Sequence, residues 1–443
     1  MNKKILIITY YFPPSGGSGV QRWLKFVKYL PEFGWEPIVL TVDEKKASYP
    51  QIDNSLLSDI PDKIRVEKTN TCEILNFYKH ISPEKEIPYG GFSDEQKPSF
   101  FKKLTRFIRG NFFLPDPRRG WNKFAYKKAC KLIVSENISQ VVTTSPPHST
   151  QLIGLKLKKK FPHIQWIADL RDPWTDIHYY KKLYPVKIAA KINEKYERKM
   201  IETADKIVVT CRATQDVFLS KSQHVTADKF AVITNGFDED DFLPVKNNSQ
   251  EKFTITYIGI LYNTQDIQCV LSAFATMKNK DDCRLRFVGH SGIIVSDIEK
   301  HNLQAHTEIL PQVKHSEAVQ LMADSSVLVL LVPDKEESAA FLPGKLFEYL
   351  ASRRPILCIA PSSHEITRII AQCDAGKTFS YSDAQNITVW LEEKKKIWEI
   401  HKRCEIENKN YLRYSRKEIT KELINFIVNS KRATAQWETD NEA

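Results

Sequence analysis

Short apolar runs alternate with longer amphipathic segments along most of this chain, and each run has the length of a buried strand. In the first half the runs predict strands at Ile5–Phe12, Glu36–Val42, Ile64–Lys68, Gln140–Ser145, Lys206–Thr210 and Lys229–Asn235, with another beginning at Gln165. The alternation then restarts, with strands at Phe253–Gly259, Arg284–Gly289, Glu308–Leu310, Ser326–Val332 and Pro355–Ala360. Strands that alternate with helices form parallel sheets. The pattern therefore predicts an α/β protein with two parallel sheets.

The restart of the pattern also predicts where the domains meet. Asn235-Gly236 is a turn signal, and the polar run 246–252 has the composition of a linker. We therefore expect a first domain over 1–240 and a second over 241–400. A helical segment over 401–430 and a disordered tail over 431–443 follow. The stretch of about 70–125 breaks the alternation and is interpreted as an insertion in the first domain.

Composition narrows the class of protein. The chain has 443 residues and a formal charge of +11, which favours an anionic partner. Its eight cysteines form no C-x-x-C pair and no cluster with metal-ligand spacing, so we expect reduced thiols and no metal site. The apolar run after Lys3-Lys4 is too short for a signal peptide, and no stretch is long enough to span a membrane. We expect a cytoplasmic protein.

The basic stretch 97–131 carries eleven Lys and Arg side chains against one carboxylate, Asp116, with aromatic residues between them. Three interpretations stay open: a nucleic-acid patch, a segment on an anionic membrane at the inner face of the cell membrane, or a solvated basic surface. No nucleic-acid-binding motif accompanies the stretch, so we expect no nucleic-acid partner.

The segment Phe341–Ala360 carries the most specific chemistry. Pro343 suits the first position of a helix. At 100° per residue, Lys345, Glu348, Tyr349 and Ser352 share one arc, and the apolar residues share the other. A helix N-terminus beside a lysine favours phosphate, and a carboxylate one turn on can accept hydrogen bonds from ribose hydroxyls. An ordinary solvent-side ion pair is the alternative interpretation.

Further candidates follow strands of the first half, where parallel sheets place ligands. Gly16 and Gly17 lie in a glycine-rich loop before a helix, which indicates either an anion site or a plain tight turn. His148 follows Gln140–Ser145, although a lone histidine is more often structural. Asp169, Arg171 and Asp172 follow the strand from Gln165. They suit an acceptor with hydroxyl or phosphate groups, or an internal Asp–Arg pair that shapes the loop.

Three stretches carry a family resemblance: PGKLFEYLASRRPIL, ITNGFDEDDF and YYFPPSGGSGVQR. They resemble the glycosyltransferase family 4 group, which has the GT-B fold. The resemblance implies two Rossmann-like domains facing each other across a cleft, with the C-terminal helix returning to the first domain. It places Lys345 near the donor diphosphate and Glu348 on the ribose. It assigns His148 to the donor sugar, and it assigns to donor binding the residues Gly16, Gly17, Gly259, Gly289, Gly344 and Leu346, with Arg22 a weaker candidate.

The chain departs from the family pattern at two places. A glutamate that usually contacts the transferred sugar is replaced by Ala340, and Glu336 and Glu337 are out of register with it. The segment after Gly259, GILYNTQD, lacks the usual arginine and lysine that clamp the diphosphate. Phosphate binding is therefore expected to depend more on Lys345, on backbone N–H groups at Gly344–Leu346 and on the glycine-rich loop of the first domain.

The resemblance implies a metal-independent, cofactor-free enzyme that transfers a hexosyl or acetamidohexosyl group from a nucleotide-diphosphate sugar, with retention. The acceptor would be a glycan or lipid-linked molecule in cell-surface polysaccharide biosynthesis. Two alternatives stay open: a nucleotide-sugar 2-epimerase on the same fold, and a non-catalytic nucleotide-sugar-binding partner subunit.

Overall fold

The predicted strands form two separate parallel sheets in the structure, a computed structural model that describes residues 3–72, 99–177, 179–243, 251–262, 265–289, 294–335, 338 and 342–429. The chain divides into two compact units. The first comprises Met1–Thr234 with Ile419–Ala443, and the second comprises Asn235–Glu418. The predicted fold class, with two Rossmann-like parallel-sheet units, is confirmed.

Seven parallel strands of the described residues form the sheet of the first unit, in the order β3-β2-β1-β4-β5-β6-β7. They are β1 Lys4–Ile8, β2 Glu36–Val42, β3 Arg65–Thr69, β4 Gln140–Ser145, β5 Gln165–Leu170, β6 Lys206–Val209 and β7 Phe230–Val232. In the central strand, Ile7 pairs with Val39 on one side and with Val142 on the other.

Helices cover both faces of this sheet. They are α1 Ser18–Tyr29, α2 Phe100–Phe112, α3 Asn122–Ser135, α4 Gln151–Lys160, α5 Lys187–Thr203 and α6 Arg212–Leu219. Ile5 and Ile7 pack with α1, whereas Leu6 and Ile8 pack with α3 and α4 on the opposite face. Successive side chains of a strand point to opposite faces, and helices cover both faces, so both sets of side chains are buried. This explains why the strands are continuous apolar runs rather than alternating ones.

The second unit has six parallel strands among its described residues, in the order β10-β9-β8-β11-β12-β13. They are β8 Phe253–Ile258, β9 Cys283–Val288, β10 Thr307–Leu310, β11 Val327–Leu331, β12 Ile356–Ile359 and β13 Gly376–Phe379. The helices are α7 Gln268–Thr276, α8 Val295–Lys300, α9 His315–Ala323, α10 Gly344–Ser352, α11 Glu365–Gln372 and α12 Ala384–His401. The edge strand β13 was not predicted, because Lys377 and Thr378 interrupt its apolar character.

The helix predicted after Pro343 is α10, and its burial corrects part of the predicted polar arc. Tyr349 and Ser352 are buried, because this short helix packs on more than one side. The Tyr349 hydroxyl accepts a hydrogen bond of 3.1 Å from the Ile258 N–H, which fixes α10 to the end of β8. Only Lys345 and Glu348 of the predicted arc keep partial exposure.

The last helix, α13 Arg416–Val428, contributes to the core of the first unit. Its Ile419, Leu423, Phe426 and Ile427 pack in the cluster that contains α1 and one face of β1. The predicted segment 401–430 therefore begins too early. Arg354 donates a hydrogen bond of 2.7 Å to the Cys404 carbonyl, and the Ile406 N–H donates one of 2.9 Å to the Arg353 carbonyl. This part of the chain therefore belongs to the second unit.

The first unit ends at Thr234, six residues before the predicted boundary of 240. Residues 73–98 of the predicted insertion lie outside the described residues, as do Glu336, Glu337, Ala340 and the tail from 430. Within the described part of the basic stretch, α2 and α3 are joined by a 3-10 helix at Pro117–Trp121. Across the described ranges, no helix is long and apolar enough to cross a membrane.

Each sheet has one point where the order of strands reverses: between β1 and β4, and between β8 and β11. The chain leaves the two neighbouring strands toward opposite faces there, and the carboxyl ends of the strands enclose a crevice. The glycine-rich loop and His148 follow β1 and β4, and Gly259 follows β8. The glycine-rich loop, His148 and Gly259 therefore lie at these two reversal points.

Candidate functional site

Lys345 occupies the reversal point of the second unit, one residue into α10. Its Nζ lies 4.3 Å from the centre of the Tyr257 ring and donates a hydrogen bond of 3.1 Å to the Tyr257 hydroxyl. A cation over an aromatic ring is attracted by the negative face of the ring. Tyr257 is on β8, so the strand holds the ammonium of the helix in place.

Two glycines make room for this ammonium. Gly259 has φ of +122°, and a Cβ built there would lie 3.0 Å from Lys345 Nζ. Gly289 has φ of +112°, and its Cβ would lie 2.7 Å from the Gly259 carbonyl oxygen. The N–H groups of both glycines donate to carbonyl groups of neighbouring strands, Val288 and Leu310. The two predicted donor-binding glycines therefore provide space rather than N–H donors.

The segment after Gly259, which lacks the family's basic residues, is held by neutral hydrogen bonds. The Tyr257 hydroxyl lies within hydrogen-bond distance of the Ile260 carbonyl, at 2.9 Å, and of Gln265 Oε1, at 3.2 Å. Gln265 Nε2 donates a hydrogen bond of 2.9 Å to the Leu331 carbonyl, and this bond links the segment to β11. Asn263 and Thr264 lie outside the described residues. Tyr257 and Gln265 were not predicted, because a tyrosine and a glutamine have no spacing signal of their own.

Burial lowers the pKa of the Lys345 ammonium to about 8, and the nearby Glu348 carboxylate acts in the opposite direction. The cause is desolvation: a cation loses water contacts that one aromatic ring and one hydroxyl replace only in part. The ammonium is charged at neutral pH. An anion placed beside it would replace the lost solvation and favour the charged form.

The N-terminus of α10 is adjacent to this ammonium. No described side chain caps it, and nothing lies within 4 Å of a Cβ built on Gly344, which is exposed. The N–H of Leu346 donates a hydrogen bond of 3.1 Å to the Pro343 carbonyl, and the Leu346 side chain is fully buried. The predicted contact of Leu346 with phosphate is therefore wrong, because its N–H is already used inside the first turn.

Glu348 lies one turn after Lys345 and is partly exposed. Its Oε1 is 3.1 Å from Nε2 of His315, at the start of α9. The pair connects α9 and α10 on the surface. Whether Glu348 binds a ribose stays a prediction.

The glycine-rich loop of the first unit is bound to a neighbouring segment. The Gly16 N–H donates a hydrogen bond of 2.9 Å to the Gln51 carbonyl, and Ser15 forms a β-bridge with Ile52. The predicted backbone contact through Gly16 is therefore wrong, because its N–H is occupied. Gly17 has φ of +95° and precedes α1, which has no side-chain cap, so its predicted role stays open.

Asp169 is a structural carboxylate, which corrects its prediction as an acceptor-binding group. It is fully buried, and its two oxygens accept hydrogen bonds from Arg22 Nε at 3.1 Å, Arg22 Nη2 at 3.0 Å, Trp23 Nε1 at 2.8 Å and Thr144 Oγ1 at 2.7 Å. An internal Asp–Arg pair is present, but its arginine is Arg22 on α1 rather than the neighbouring Arg171 that the sequence indicated. The weaker donor-side prediction for Arg22 is wrong for the same reason.

Arg171 holds three loops together at the reversal point of the first unit. Its guanidinium donates to the carbonyls of Ser145, Pro146 and Gly19. Burial lowers its pKa, and the charges of Asp172 and Asp169 oppose that effect. These contacts give Arg171 a structural role, because they hold neighbouring parts of the backbone in place. Asp172 is half-buried beside it, and its predicted acceptor contact stays a prediction.

His148 is buried at the end of β4, with its ring stacked on that of Trp174 at a centroid distance of 5.0 Å and an angle of 9°. Neither ring nitrogen has a partner among the described residues. Burial lowers the pKa of His148 to about 3, and the charges of Arg171 and Lys221 add to the effect. The ring is therefore neutral, with one nitrogen that donates and one that accepts. Buried polar atoms without partners are costly, which is typical of a position that a ligand or water completes.

Residues 238–404 match the family model described as "Glycosyl transferases group 1". This match covers most of the second unit, and Lys345, Glu348, Gly259 and Gly289 all lie within the matched residues. None of the curated proteins matches the chain.

Solved structures match nearly the whole chain. Sucrose-phosphate synthase from Thermosynechococcus elongatus has 14% identity and a TM-score of 0.58, with 96% of this chain and 98% of that chain covered. HepE from Anabaena in complex with UDP-glucose has 13% identity and a TM-score of 0.56, with 96% and 99% covered. A mutant of S. aureus TarM with fondaparinux, α-GlcNAc-glycerol and UDP has 12% identity and a TM-score of 0.60, with 96% and 100% covered. These similarities confirm the predicted GT-B fold.

No group of three or more His, Cys, Asp or Glu side chains in the described ranges has the arrangement of a metal site. Among the described residues, the Lys345 ammonium and the N-terminus of α10 place positive charge at the reversal point of the second unit.

We predict that Asp169→Asn destabilises the protein by about 3 kcal/mol, because it leaves the Arg22 guanidinium buried without a counter-charge. Denaturant unfolding measures the change in the free energy of unfolding. The matched control is Asp62→Asn, an exposed carboxylate of the same unit, which should change it by less than about 0.5 kcal/mol. A loss below about 1 kcal/mol for Asp169→Asn would contradict the bracing role.

Proposed function

We propose that this protein is a glycosyltransferase that transfers a sugar from a nucleotide-diphosphate sugar to a glycan or lipid-linked acceptor, with retention of configuration. The observation that carries the proposal is the position of Lys345: a desolvated ammonium, beside the uncapped N-terminus of α10, at the reversal point of a parallel sheet. Each of these three features favours a phosphate group.

The match to a group 1 glycosyltransferase domain supports a nucleotide-sugar donor in the second unit. HepE was solved with UDP-glucose, and TarM with UDP and a glycan. The lipopolysaccharide outer core galactosyltransferase WaaB is also among the similar structures, with a TM-score of 0.58. A role in cell-surface polysaccharide biosynthesis is in keeping with that neighbour.

In the proposed mechanism, the charge that develops on the leaving diphosphate is stabilised by Lys345 and by the N-terminus of α10. Such fixed positive groups act where the charge appears and need no reorganisation. The leaving phosphate itself accepts the proton of the acceptor hydroxyl. A metal ion is not required for this charge stabilisation, because the ammonium supplies it.

In the first unit, His148 is the proposed contact of the transferred sugar. Its neutral ring offers one donor and one acceptor to sugar hydroxyls, and its stacking on Trp174 fixes the plane of the ring. Asp172 is the proposed acceptor contact that remains from the predicted group, since Asp169 and Arg171 have bracing roles.

A thermal-shift screen against UDP, GDP and their sugar derivatives tests the proposal, because a ligand of the folded state raises Tm by mass action. We expect one nucleotide to stabilise the protein, and its sugar derivative to be consumed when an acceptor panel is added. An isomerised sugar formed without an acceptor would identify an epimerase. Stabilisation without consumption across the panel would identify a non-catalytic binding subunit.

We predict that Lys345→Ala lowers kcat/KM for the donor by the equivalent of about 2–4 kcal/mol, because a preorganised positive group is removed from the developing charge. Steady-state kinetics measures this change. Lys396→Ala, at an exposed position of the same unit, is the control and should leave kcat/KM within about twofold.

The pH dependence gives a second readout of the same role. Because the ammonium has a pKa of about 8, it is protonated below that pH and loses its charge above it. Affinity for UDP should therefore fall as the pH rises through about 8 in the wild-type protein, as calorimetry measures. Lys345→Ala should bind weakly and without this fall. An unchanged kcat/KM in Lys345→Ala, or the same pH profile in both proteins, would exclude Lys345 from diphosphate binding.

We predict that Glu348→Gln weakens UDP binding about tenfold, since a charged acceptor of ribose hydrogen bonds is replaced by a neutral one. Calorimetry at neutral pH measures the affinity. The control is His315→Ala, which removes the surface partner of Glu348 and should change the affinity by less than about threefold. If Glu348→Gln binds UDP as the wild type does, the ribose assignment is wrong.

A further inference from the structure

Helix α2 has the reverse of the usual amphipathic arrangement. Its apolar side chains Phe100, Phe101, Leu104, Phe107, Ile108 and Phe112 are exposed, with 83% of Phe100 and 75% of Phe112 accessible to solvent. At 100° per residue they occupy one continuous arc of about 140°. The residues of this helix that are buried are Arg106 and Gly110. An ordinary surface helix buries its apolar arc and exposes its charges, whereas no described part of this unit covers the apolar arc of α2. An uncovered apolar arc of this kind is typical of a surface that binds a partner.

The orientation of α2 is fixed by a close contact rather than by its apolar arc. A Cβ built on Gly110 would meet the backbone of Leu183, so a larger residue would force the helix away. Asn111 Nδ2 donates a hydrogen bond of 3.0 Å to the Tyr184 carbonyl, and the Val186 N–H donates a hydrogen bond of 2.7 Å to Asn111 Oδ1. These bonds hold the helix with its arginines inward and its phenylalanines outward.

The same bonds extend the apolar surface to a second segment of the chain. Tyr184, Val186 and Ile188 lie beside the C-terminal half of α2 and are exposed, Ile188 to 74%. We call the six apolar side chains of α2 together with these three the apolar face. Two separate segments of sequence therefore contribute to one surface, which the basic stretch alone did not indicate.

The charges around the apolar face have one sign. Residues 99–119 and 179–193 contain ten Lys and Arg side chains and one carboxylate, Asp116. Asp116 is turned inward, where it accepts hydrogen bonds from the Ser149 N–H and hydroxyl at 2.6 Å and 2.9 Å. Exposed lysines on both segments, such as Lys103 and Lys187, flank the apolar side chains. Apolar side chains flanked by lysines match a surface that has a hydrocarbon interior and negatively charged headgroups.

We propose that the apolar face is a membrane-docking surface, which inserts its phenylalanines among the acyl chains of an anionic lipid bilayer while the surrounding lysines contact the headgroups. The first unit would then lie on the membrane with α2 parallel to its plane. This surface does not depend on the identity of the sugar donor, so it stands or fails separately from the proposed transferase activity.

The test is co-flotation of the full chain with vesicles of phosphatidylcholine, with and without phosphatidylglycerol. The wild-type protein should float with the vesicles that contain phosphatidylglycerol and bind the neutral ones more weakly, and added salt should reduce the binding. The triple variant Phe100→Ser, Leu104→Ser, Phe112→Ser should lose about tenfold or more of its partitioning. All three side chains are exposed, so the variant should keep the Tm of the wild type.

Two controls separate the apolar and charge contributions. Val389→Ser with Ile400→Ser removes equally exposed apolar groups of the second unit and should leave partitioning unchanged. Lys103→Gln with Lys187→Gln should weaken binding only to the anionic vesicles, whereas Lys396→Gln should not. Flotation of the triple variant at the wild-type level, or no flotation of the wild type, would overturn the proposal. So would light scattering that shows a dimer in solution which the triple variant converts to a monomer, because the face would then bind a second copy.

Discussion

The position of one ammonium, between the ring of Tyr257 and the backbone of Gly259, constrains the whole second unit. The two glycines at the ends of β8 and β9, the tyrosine on β8 and the N-terminus of α10 all meet there. The difference between a pKa of 10.5 and one of about 8 corresponds to about 3 kcal/mol against the charged form. A ring and a hydroxyl return only part of the lost hydration, and a bound anion would return the rest.

The corresponding point of the first unit has a different character. There the charged side chains brace the structure: Asp169 holds α1 through Arg22 and Trp23, and Arg171 holds the ends of two strand loops and the start of α1. The neutral ring of His148 is one of the buried polar groups of this unit that have no partner among the described residues. The two units therefore differ in chemistry at these points, with a cation in one and a neutral donor and acceptor in the other.

The sequence was sufficient where the information is local. Buried strands are continuous apolar runs, and the start of α10 is marked by Pro343, so both could be predicted. The contacts that decide the role of each polar residue are long-range. Asp169 finds Arg22 at a separation of 147 residues, and Lys345 finds Tyr257 at a separation of 88. No spacing rule connects such pairs, since the register of the strands brings them together. For the same reason the outward direction of the α2 phenylalanines could not be predicted: it depends on the fit of Gly110 against Leu183.

The return of the last helix to the first unit has a consequence for the order in which the protein forms during translation. The core around α1 and β1 needs Ile419, Leu423 and Phe426, which leave the ribosome after everything else in that core. The second unit, residues 235–418, contains all of its own strands and needs no segment that is made later. It can therefore complete its sheet while the core of the first unit still lacks α13. The second unit can therefore mature before the first, whose core is completed only when the residues of α13 have been made.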